Sequence, residues 1–239
     1  MKIGILLCGD VPPELIKEFG SYTDCLTTQL NLNQYDSVKV WDLYQSNHLP
    51  ENVYQCDAYI VGGSPSGVND DLNWIHRLTS FIRKAFHAQR KLLGICFGHQ
   101  VIHHALGGEV QKSNKGWGLG AYDVQLKEDI GELKAGQTMQ LIAIHQDQVI
   151  KPGKGFEVLA SNEFCPYYLT RYQDQILTVQ GHPEFSGDFF NALLMLRADK
   201  FKPDEIQKAQ VKDESLICNN MFNHFANNFL ARNHRSQSK

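Results

Sequence analysis

A cysteine between two glycines is the segment of this sequence best suited to nucleophilic chemistry. It reads Gly94-Ile95-Cys96-Phe97-Gly98 and follows a short apolar stretch typical of a buried strand. Glycines two residues before and after a nucleophile permit the tight strand-to-helix turn that presents its side chain. The dipole of the following helix favours the reactive thiolate. The spacing therefore predicts that Cys96 is a nucleophile, with a buried structural cysteine as the alternative.

A later segment offers a base for this thiol. A second apolar stretch delivers His182 to a turn at Pro183, and Glu184 follows. A cysteine nucleophile needs a group that takes up a proton and returns one to the leaving group, and histidine does this near neutral pH. A carboxylate that fixes the imidazole completes such an arrangement. We expect Cys96, His182 and Glu184 to be the catalytic residues.

A glycine-containing turn offers a further catalytic element. Gly62-Gly63-Ser64-Pro65 follows a predicted strand. On elbow folds the oxyanion hole combines the backbone N–H after the nucleophile with an N–H from an earlier strand-end loop. We therefore expect the N–H of Phe97 and that of Gly63 or Ser64 to form an oxyanion hole.

The elements that must position these residues alternate between strand and helix in the first half of the chain. Strands are predicted at Lys2–Cys8, Ser37–Tyr44, Asp57–Val61 and Lys91–Ile95, and helices at Pro12–Leu30, Asp71–Ala88 and from about Gly98 to Gly107. This alternation predicts an α/β fold of three layers, with a mostly parallel, flavodoxin-like central sheet and helices on both faces.

The second half of the chain has strands in series, which predicts an antiparallel extension of the same sheet. The expected strands are Leu119–Leu126, Thr138–Ile144, Glu157–Ser161, Cys165–Thr170 and Gln175–Gln180. Helices are expected at Ser186–Ala198 and at about 213–232, and the polar tail 233–239 is expected to fray. Without a linker or repeat, residues 1–239 are predicted to form a single domain.

The composition excludes several classes of protein. The net charge of −3 gives no electrostatic reason for nucleic-acid binding. No apolar stretch approaches the ~20 residues that span a bilayer. The six cysteines are widely spaced and form no CxxC pair, which favours reduced thiols and a cytoplasmic location.

Two further segments resemble ligand-binding motifs, but we expect neither of them to bind a ligand. His99 and His103 have the i, i+4 spacing of a metal pair but lack a third ligand at a suitable distance, so no metal is expected. The glycine-rich stretch 113–120 lacks the ending of a nucleotide-binding loop, and no cofactor is expected. Taken alone, this stretch is expected to be a plain loop in which Trp117 is a packed indole.

Segments 94–100 and 181–184 together resemble the class I (triad) glutamine amidotransferases, and the resemblance extends from the first strand to about Asn191. Within that family, the chain is most similar to stand-alone proteins related to the glutaminase portion of GMP synthetase. Plant-type γ-glutamyl peptidases carry a very similar elbow. The resemblance implies a γ-glutamyl thioester on Cys96, with His182 as base and acid and Glu184 as its orienting group.

The resemblance also implies residues that bind the substrate, and it implies that the loop with Trp117 lies near the substrate mouth. Gln100 matches a position that helps to hold the glutamine side. His145 and Asp147 match a segment that contacts the amino-acid end of the substrate, and Ile144 stands where that segment has serine.

Three functions stay open on the sequence. The first is hydrolysis of the glutamine γ-amide, with ammonia passed to a separate synthetase subunit. The second is hydrolysis of γ-glutamyl peptides such as glutathione, which needs no synthetase. The third is a non-catalytic binding or regulatory protein on the same fold, which the complete Cys96, His182 and Glu184 set disfavours. A small-molecule substrate is expected in the first two, and a homo-oligomer is compatible with all three.

Overall fold

In the computed structural model, which describes residues 1–232, the apolar stretches form a mixed sheet with helices packed against it. The strands are β1 Lys2–Leu7, β2 Ser37–Asp42, β3 Ala58–Val61, β4 Lys91–Ile95, β5 Glu109–Lys112, β6 Gly118–Leu126, β7 Thr138–His145, β8 Asp147–Lys151, β9 Glu157–Ser161, β10 Leu169–Tyr172 and β11 Ile176–Val179. The helices are α1 Pro13–Phe19, α2 Tyr22–Gln29, α3 Asn73–His87, α4 Phe97–Ala105, α5 Gly187–Leu196, α6 Pro203–Ala209 and α7 Asn219–Ala231.

The main sheet has the strand order β2-β1-β3-β4-β11-β10-β9-β6-β7. The strands from β2 to β11 are parallel to one another, and those from β11 to β7 pair antiparallel. The predicted fold, a parallel central sheet with an antiparallel extension, is confirmed. β5 and β8 form a separate two-stranded sheet that the sequence pattern did not predict.

Alternate residues of the central strands point to two hydrophobic clusters, one on each face of the sheet. In β1, Ile3 and Ile5 pack with residues of α2, α5 and α7, whereas Leu6 packs with residues of α3 and α4. This alternation follows from the two-residue repeat of a strand. It confirms the predicted helices on both faces.

The single helix predicted over Pro12–Leu30 is instead two helices. Gly20 has φ +79°, a left-handed conformation that ends α1. Ser21 and Asp24 then form a capping box that starts α2. Because the apolar periodicity continues through the break, it did not reveal the interruption.

Two further boundaries differ from the prediction for local reasons. The backbone N–H of Cys165 donates to Asn162 Oδ1 at 2.7 Å in a turn, so β10 starts only at Leu169. At the C-terminal end, the Asp213 side chain caps a short 3-10 turn, and the helix expected at about 213–232 starts at Asn219. Helix α6 was not predicted, and the tail 233–239 lies outside the described residues. No helix within residues 1–232 is both long and apolar enough to cross a membrane.

The glycines around the elbow are required by close backbone contacts. A Cβ on Gly98 would lie 1.9 Å from the carbonyl oxygen of Val61 in β3, and one on Gly94 would lie 2.7 Å from the Gly98 carbonyl. The absence of side chains at these positions lets α4 start directly against the end of the sheet. The turn between β4 and α4 is thereby fixed.

Candidate active site

Cys96 occupies the turn between β4 and α4 in a strained backbone conformation. Its φ of +52° lies in the left-handed region, where a non-glycine residue costs about 1 to 3 kcal/mol. Its backbone N–H donates to the carbonyl of Val179, the last residue of β11, at 2.8 Å. The thiol is 6% exposed and lies at the N-terminus of α4. The surrounding structure therefore imposes the strain, as is common where a nucleophile is presented.

His182 follows β11 and is held from three sides. Its backbone N–H donates to the Ile142 carbonyl at 2.7 Å, and its ring stacks on Phe185 at 4.2 Å between centroids. Its Nδ1 lies 2.6 Å from Glu184 Oε1. A carboxylate at this distance favours a proton on Nδ1, which leaves Nε2 to exchange protons with a reacting group.

The charges around His182 favour its protonated form. Burial alone would lower the pKa of His182, but the charges of Cys96 and Glu184 and hydrogen bonding to both outweigh it and raise that pKa well above its usual range. At neutral pH the imidazole is therefore an imidazolium beside the sulfur. An imidazolium next to the sulfur is the kind of environment in which cysteine nucleophiles are found.

Tyr22 connects the orienting carboxylate to the glycine turn. Its hydroxyl donates to Glu184 Oε1 at 2.8 Å and accepts the backbone N–H of Gly63 at 2.9 Å. Burial, and then the charge of Glu184, raise the pKa of Tyr22 well above its usual range, so the hydroxyl keeps its proton. Sequence reasoning missed Tyr22, which lies 162 residues from Glu184 and belongs to no motif.

The Tyr22 contact reduces the set of backbone N–H groups that could form the predicted oxyanion hole. Because the Gly63 N–H is engaged by Tyr22, the expectation that Gly63 provides a free donor does not hold in this structure. Within residues 1–232, the N–H of Ser64 has no hydrogen-bond partner. The N–H of Phe97, in the first turn of α4, has no intrahelical partner either. Ser64 and Phe97 stay as the predicted donors.

The side-chain amide of Gln100 donates hydrogen bonds to two other residues of the protein. Its Nε2 donates to the backbone carbonyl of Asp147 at 2.7 Å and to Gln180 Oε1 at 3.2 Å. Gln180 Nε2 in turn lies 3.7 Å from Cys96 Sγ. Gln100 thus connects the Asp147 backbone to the Cys96 sulfur through Gln180. Sequence reasoning missed Gln180.

His145 and Asp147 lie beside the site at the end of β7. His145 is buried, and its Nδ1 lies 3.0 Å from the backbone carbonyl of Asp147. Burial lowers the pKa of His145 to about 4, helped by repulsion from His182 and opposed by the hydrogen bond to Asp147. His145 is therefore neutral at physiological pH. The carboxylate of Asp147 is half-buried, which raises its pKa, and it faces a cavity.

Two cavities meet at Cys96. One is largely polar and lined by Ser64, Gln100, Lys112, His145, Asp147 and Lys200, with Trp117 and Phe201 also on its wall. The other has an apolar side formed by Val11, Pro12, Phe185, Phe189 and Leu193. The Trp117 ring lines the polar cavity and packs on Phe201 at 5.1 Å between centroids. It is thus a packed indole, and its place at a substrate mouth stays a prediction.

Arg197 lines both cavities and was missed in the sequence. Its guanidinium is partly buried, and burial lowers its pKa while the nearby Cys96 charge opposes this. Within residues 1–232 it has no ion-pair or hydrogen-bond partner. An unpaired, partly desolvated guanidinium beside a reactive thiol is suited to bind a carboxylate.

His99 and His103 take part in a buried hydrogen-bond chain. His99 Nδ1 lies 2.8 Å from Thr178 Oγ1, and His103 Nε2 lies 2.8 Å from Thr170 Oγ1. The two threonine hydroxyls are 2.7 Å apart. Within residues 1–232, no group of three or more His, Cys, Asp or Glu side chains is arranged to hold a metal ion.

The Glu184 contact predicts how His182 titrates. Glu184→Gln removes a negative charge beside the imidazolium, so the pKa of His182 should fall by roughly 1 to 3 units. An NMR titration of the His182 ring nitrogens measures this value. Glu51→Gln, the same change at an exposed position, is the control and should leave His182 unaltered. An unchanged or higher His182 pKa in Glu184→Gln would contradict the proposed orienting role.

Comparisons with known proteins agree with this geometry. The family profile described as glutamine amidotransferase class-I matches residues 15–196. A glutamine amidotransferase-like protein of Schizosaccharomyces pombe is 30% identical over 224 residues, which cover 88% of this chain and 89% of the relative. Gamma-glutamyl peptidase 3 of Arabidopsis thaliana is 28% identical over 183 residues, 72% of each chain.

A solved structure shows the same fold. The crystal structure of a glutamine amidotransferase from Methylobacillus flagellatus aligns with a TM-score of 0.74 at 20% identity, covering 96% of this chain and 92% of that chain. At this identity the likeness establishes the fold alone. The family profile matches residues 15–196, and the fission-yeast relative is 30% identical over 88% of this chain. The chain therefore belongs to the class I glutamine amidotransferase family.

Proposed function

We propose that this chain hydrolyses a γ-glutamyl amide bond through a thioester on Cys96. The observation that carries the proposal is the buried sulfur beside an imidazole whose pKa is raised, at the point where two cavities meet. His182 supplies the acid and base, and Glu184 orients it. A complete set of these groups disfavours a non-catalytic binding protein on the same fold.

The chemistry proceeds in two steps. The Cys96 thiolate attacks the γ-carbonyl carbon, and the N–H groups of Ser64 and Phe97 stabilise the oxyanion. As the C–N bond breaks, the His182 imidazolium gives its proton to the leaving nitrogen and a γ-glutamyl thioester remains on the sulfur. Water, deprotonated by the now neutral His182, attacks the thioester. Glutamate leaves, and the thiolate–imidazolium pair is restored.

The polar cavity suits the glutamyl half of the substrate. Asp147 presents a carboxylate without an ion-pair partner within residues 1–232, which is suited to an α-ammonium group. Gln100 holds the Asp147 backbone by its carbonyl, so we assign Gln100 and His145 to shaping this pocket. Glutamine and γ-glutamyl peptides share this half, and the polar cavity does not discriminate between them.

The apolar cavity favours a peptide as the substrate. Ammonia is about the size of a water molecule, which needs a cavity of roughly 10 to 15 Å³. The cavity on the other side of Cys96 holds about 70 Å³, room for a leaving group larger than ammonia, and has Phe189 and Leu193 on its wall. An amino acid or short peptide leaving group would use this apolar surface, and Arg197 would bind its carboxylate. Hydrolysis of γ-glutamyl peptides is therefore the function that the site supports best.

Glutamine stays the second candidate, because the family match and the polar cavity are equally compatible with it. In that case a separate synthetase subunit would receive the ammonia. We further propose that residues 1–239 form one catalytic domain acting in the cytoplasm. All six cysteines are free thiols, in keeping with a reducing compartment. A homo-oligomer stays a prediction.

Substrate preference provides the first test. The purified chain is incubated with glutamine, glutathione and γ-glutamyl dipeptides, and glutamate release is measured. We expect faster release from the peptides than from glutamine, and none from any of them in Cys96→Ala. Release that survives in Cys96→Ala would contradict the mechanism. Release from glutamine alone would support the glutaminase and contradict the peptidase.

The same assay tests Arg197. Arg197→Met should raise KM for a peptide with a free C-terminal carboxylate by about tenfold or more, since one charge-assisted hydrogen bond is lost. The matched control is the same peptide with an amidated C-terminus, for which the two proteins should differ little. An equal change for both peptides would contradict the carboxylate contact.

The Tyr22 contact predicts an effect on kcat. Tyr22→Phe keeps the ring but removes the hydrogen bonds to Glu184 and Gly63, so kcat should fall roughly ten- to a hundredfold. Tyr35→Phe is the matched control, because the Tyr35 hydroxyl binds Asn227 away from the sulfur. Equal kcat values for the two variants would show that Tyr22 has no part in catalysis.

A further inference from the structure

Helix α7 presents a row of asparagines to the body of the protein. Asn219, Asn223 and Asn227 follow one another at four-residue spacing, which places them on one face of the helix. Each side-chain amide donates to a backbone carbonyl in another segment: to Phe185 at 2.6 Å, to Pro183 at 2.9 Å and to Leu30 at 2.7 Å, respectively. This helix lies beyond residues 15–196, which carry the family match.

Two of these carbonyls flank the orienting carboxylate. Pro183 and Phe185 are the residues directly before and after Glu184. Asn219 and Asn223 are buried, at 8% and 3% exposure, so their hydrogen bonds are shielded from water. Asn223 therefore holds the peptide unit directly before Glu184, and Asn219 holds the peptide unit that follows Phe185.

The side chain of Glu184 itself is held on one oxygen. Oε1 contacts His182 and Tyr22, whereas Oε2 has no hydrogen-bond partner within residues 1–232. Because both side-chain hydrogen bonds are at a single oxygen, the orientation of the buried carboxylate depends also on the backbone that carries it, which is where α7 binds.

The position of α7 is fixed by contacts away from the sulfur. The backbone N–H of Cys218, at the start of the helix, donates to the Gln140 carbonyl in β7 at 2.8 Å. Near its other end, Asn227 donates to Leu30 and accepts from the Tyr35 hydroxyl at 3.1 Å. The two asparagines that face the catalytic turn are thus presented from a helix anchored at both ends.

We propose that Asn219 and Asn223 are positioning residues, which hold the Pro183 and Phe185 carbonyls so that Glu184 keeps the His182 imidazolium aligned with Cys96. This inference rests on the proposed roles of His182 and Glu184. It assigns to the C-terminal helix a part in catalysis that depends on two amide side chains and on no contact with the substrate.

The test compares Asn223→Ala with Asn227→Ala. Both remove a side-chain amide that binds a backbone carbonyl, from the same face of the same helix, so both should lower the thermal unfolding temperature. Only Asn223→Ala should lower kcat, by about tenfold, with KM changed less than twofold. Only Asn223→Ala should lower the His182 pKa measured by NMR titration and slow the alkylation of Cys96 by iodoacetamide.

Equal kcat, His182 titration and alkylation rate in Asn223→Ala and Asn227→Ala would overturn the proposal. If Asn223→Ala does not fold, Asn219→Ala is measured against Asn227→Ala by the same criteria. The titration and the alkylation need no substrate. They therefore decide the positioning role even if the wild-type chain cleaves no γ-glutamyl compound, a result that would contradict the proposed function alone.

Discussion

The proposed chemistry depends on one buried pair, the Cys96 sulfur beside the His182 imidazolium. Taking two charges out of water is costly, and the pair is favourable only where further charges and hydrogen bonds compensate. Glu184 supplies the second negative charge at 2.6 Å from the ring, and the N-terminus of α4 faces the thiolate. Tyr22 stabilises the carboxylate in turn. In the proposed mechanism, each of these groups acts on the proton that must pass to the leaving nitrogen.

The sheet topology explains why these groups meet. β3, β4 and β11 are neighbours and parallel, so their carboxyl ends lie side by side at one edge of the sheet. The turn with Ser64 follows β3, Cys96 follows β4 and His182 follows shortly after β11. Ligand sites of open α/β sheets commonly lie at this edge. Beyond β7, Asp147 at the start of β8 lines the polar cavity.

A site residue can be predicted from the sequence when the residues that fix its position are its near neighbours in the chain. Cys96 and His182 stand in short segments whose glycines and proline are required by the turn itself, so the pattern of a few residues identifies them. Tyr22 contacts Glu184 across 162 residues of sequence, and Arg197 reaches the cavities only in the folded chain. No local pattern distinguishes either from ordinary helix residues. The parallel core was predicted because strand and helix periods differ clearly. The break at Gly20 was missed because the apolar period continues across it.

The central claim is that Cys96 forms a covalent γ-glutamyl thioester. Rapid mixing of the wild-type chain with a γ-glutamyl peptide, followed by acid quench and mass spectrometry of the peptide that contains Cys96, tests it most directly. The account predicts a transient mass increase equal to one glutamyl acyl group on Cys96, which decays as free glutamate appears and is absent in His182→Ala. Turnover without any adduct on Cys96, or an adduct on another residue, would contradict the account.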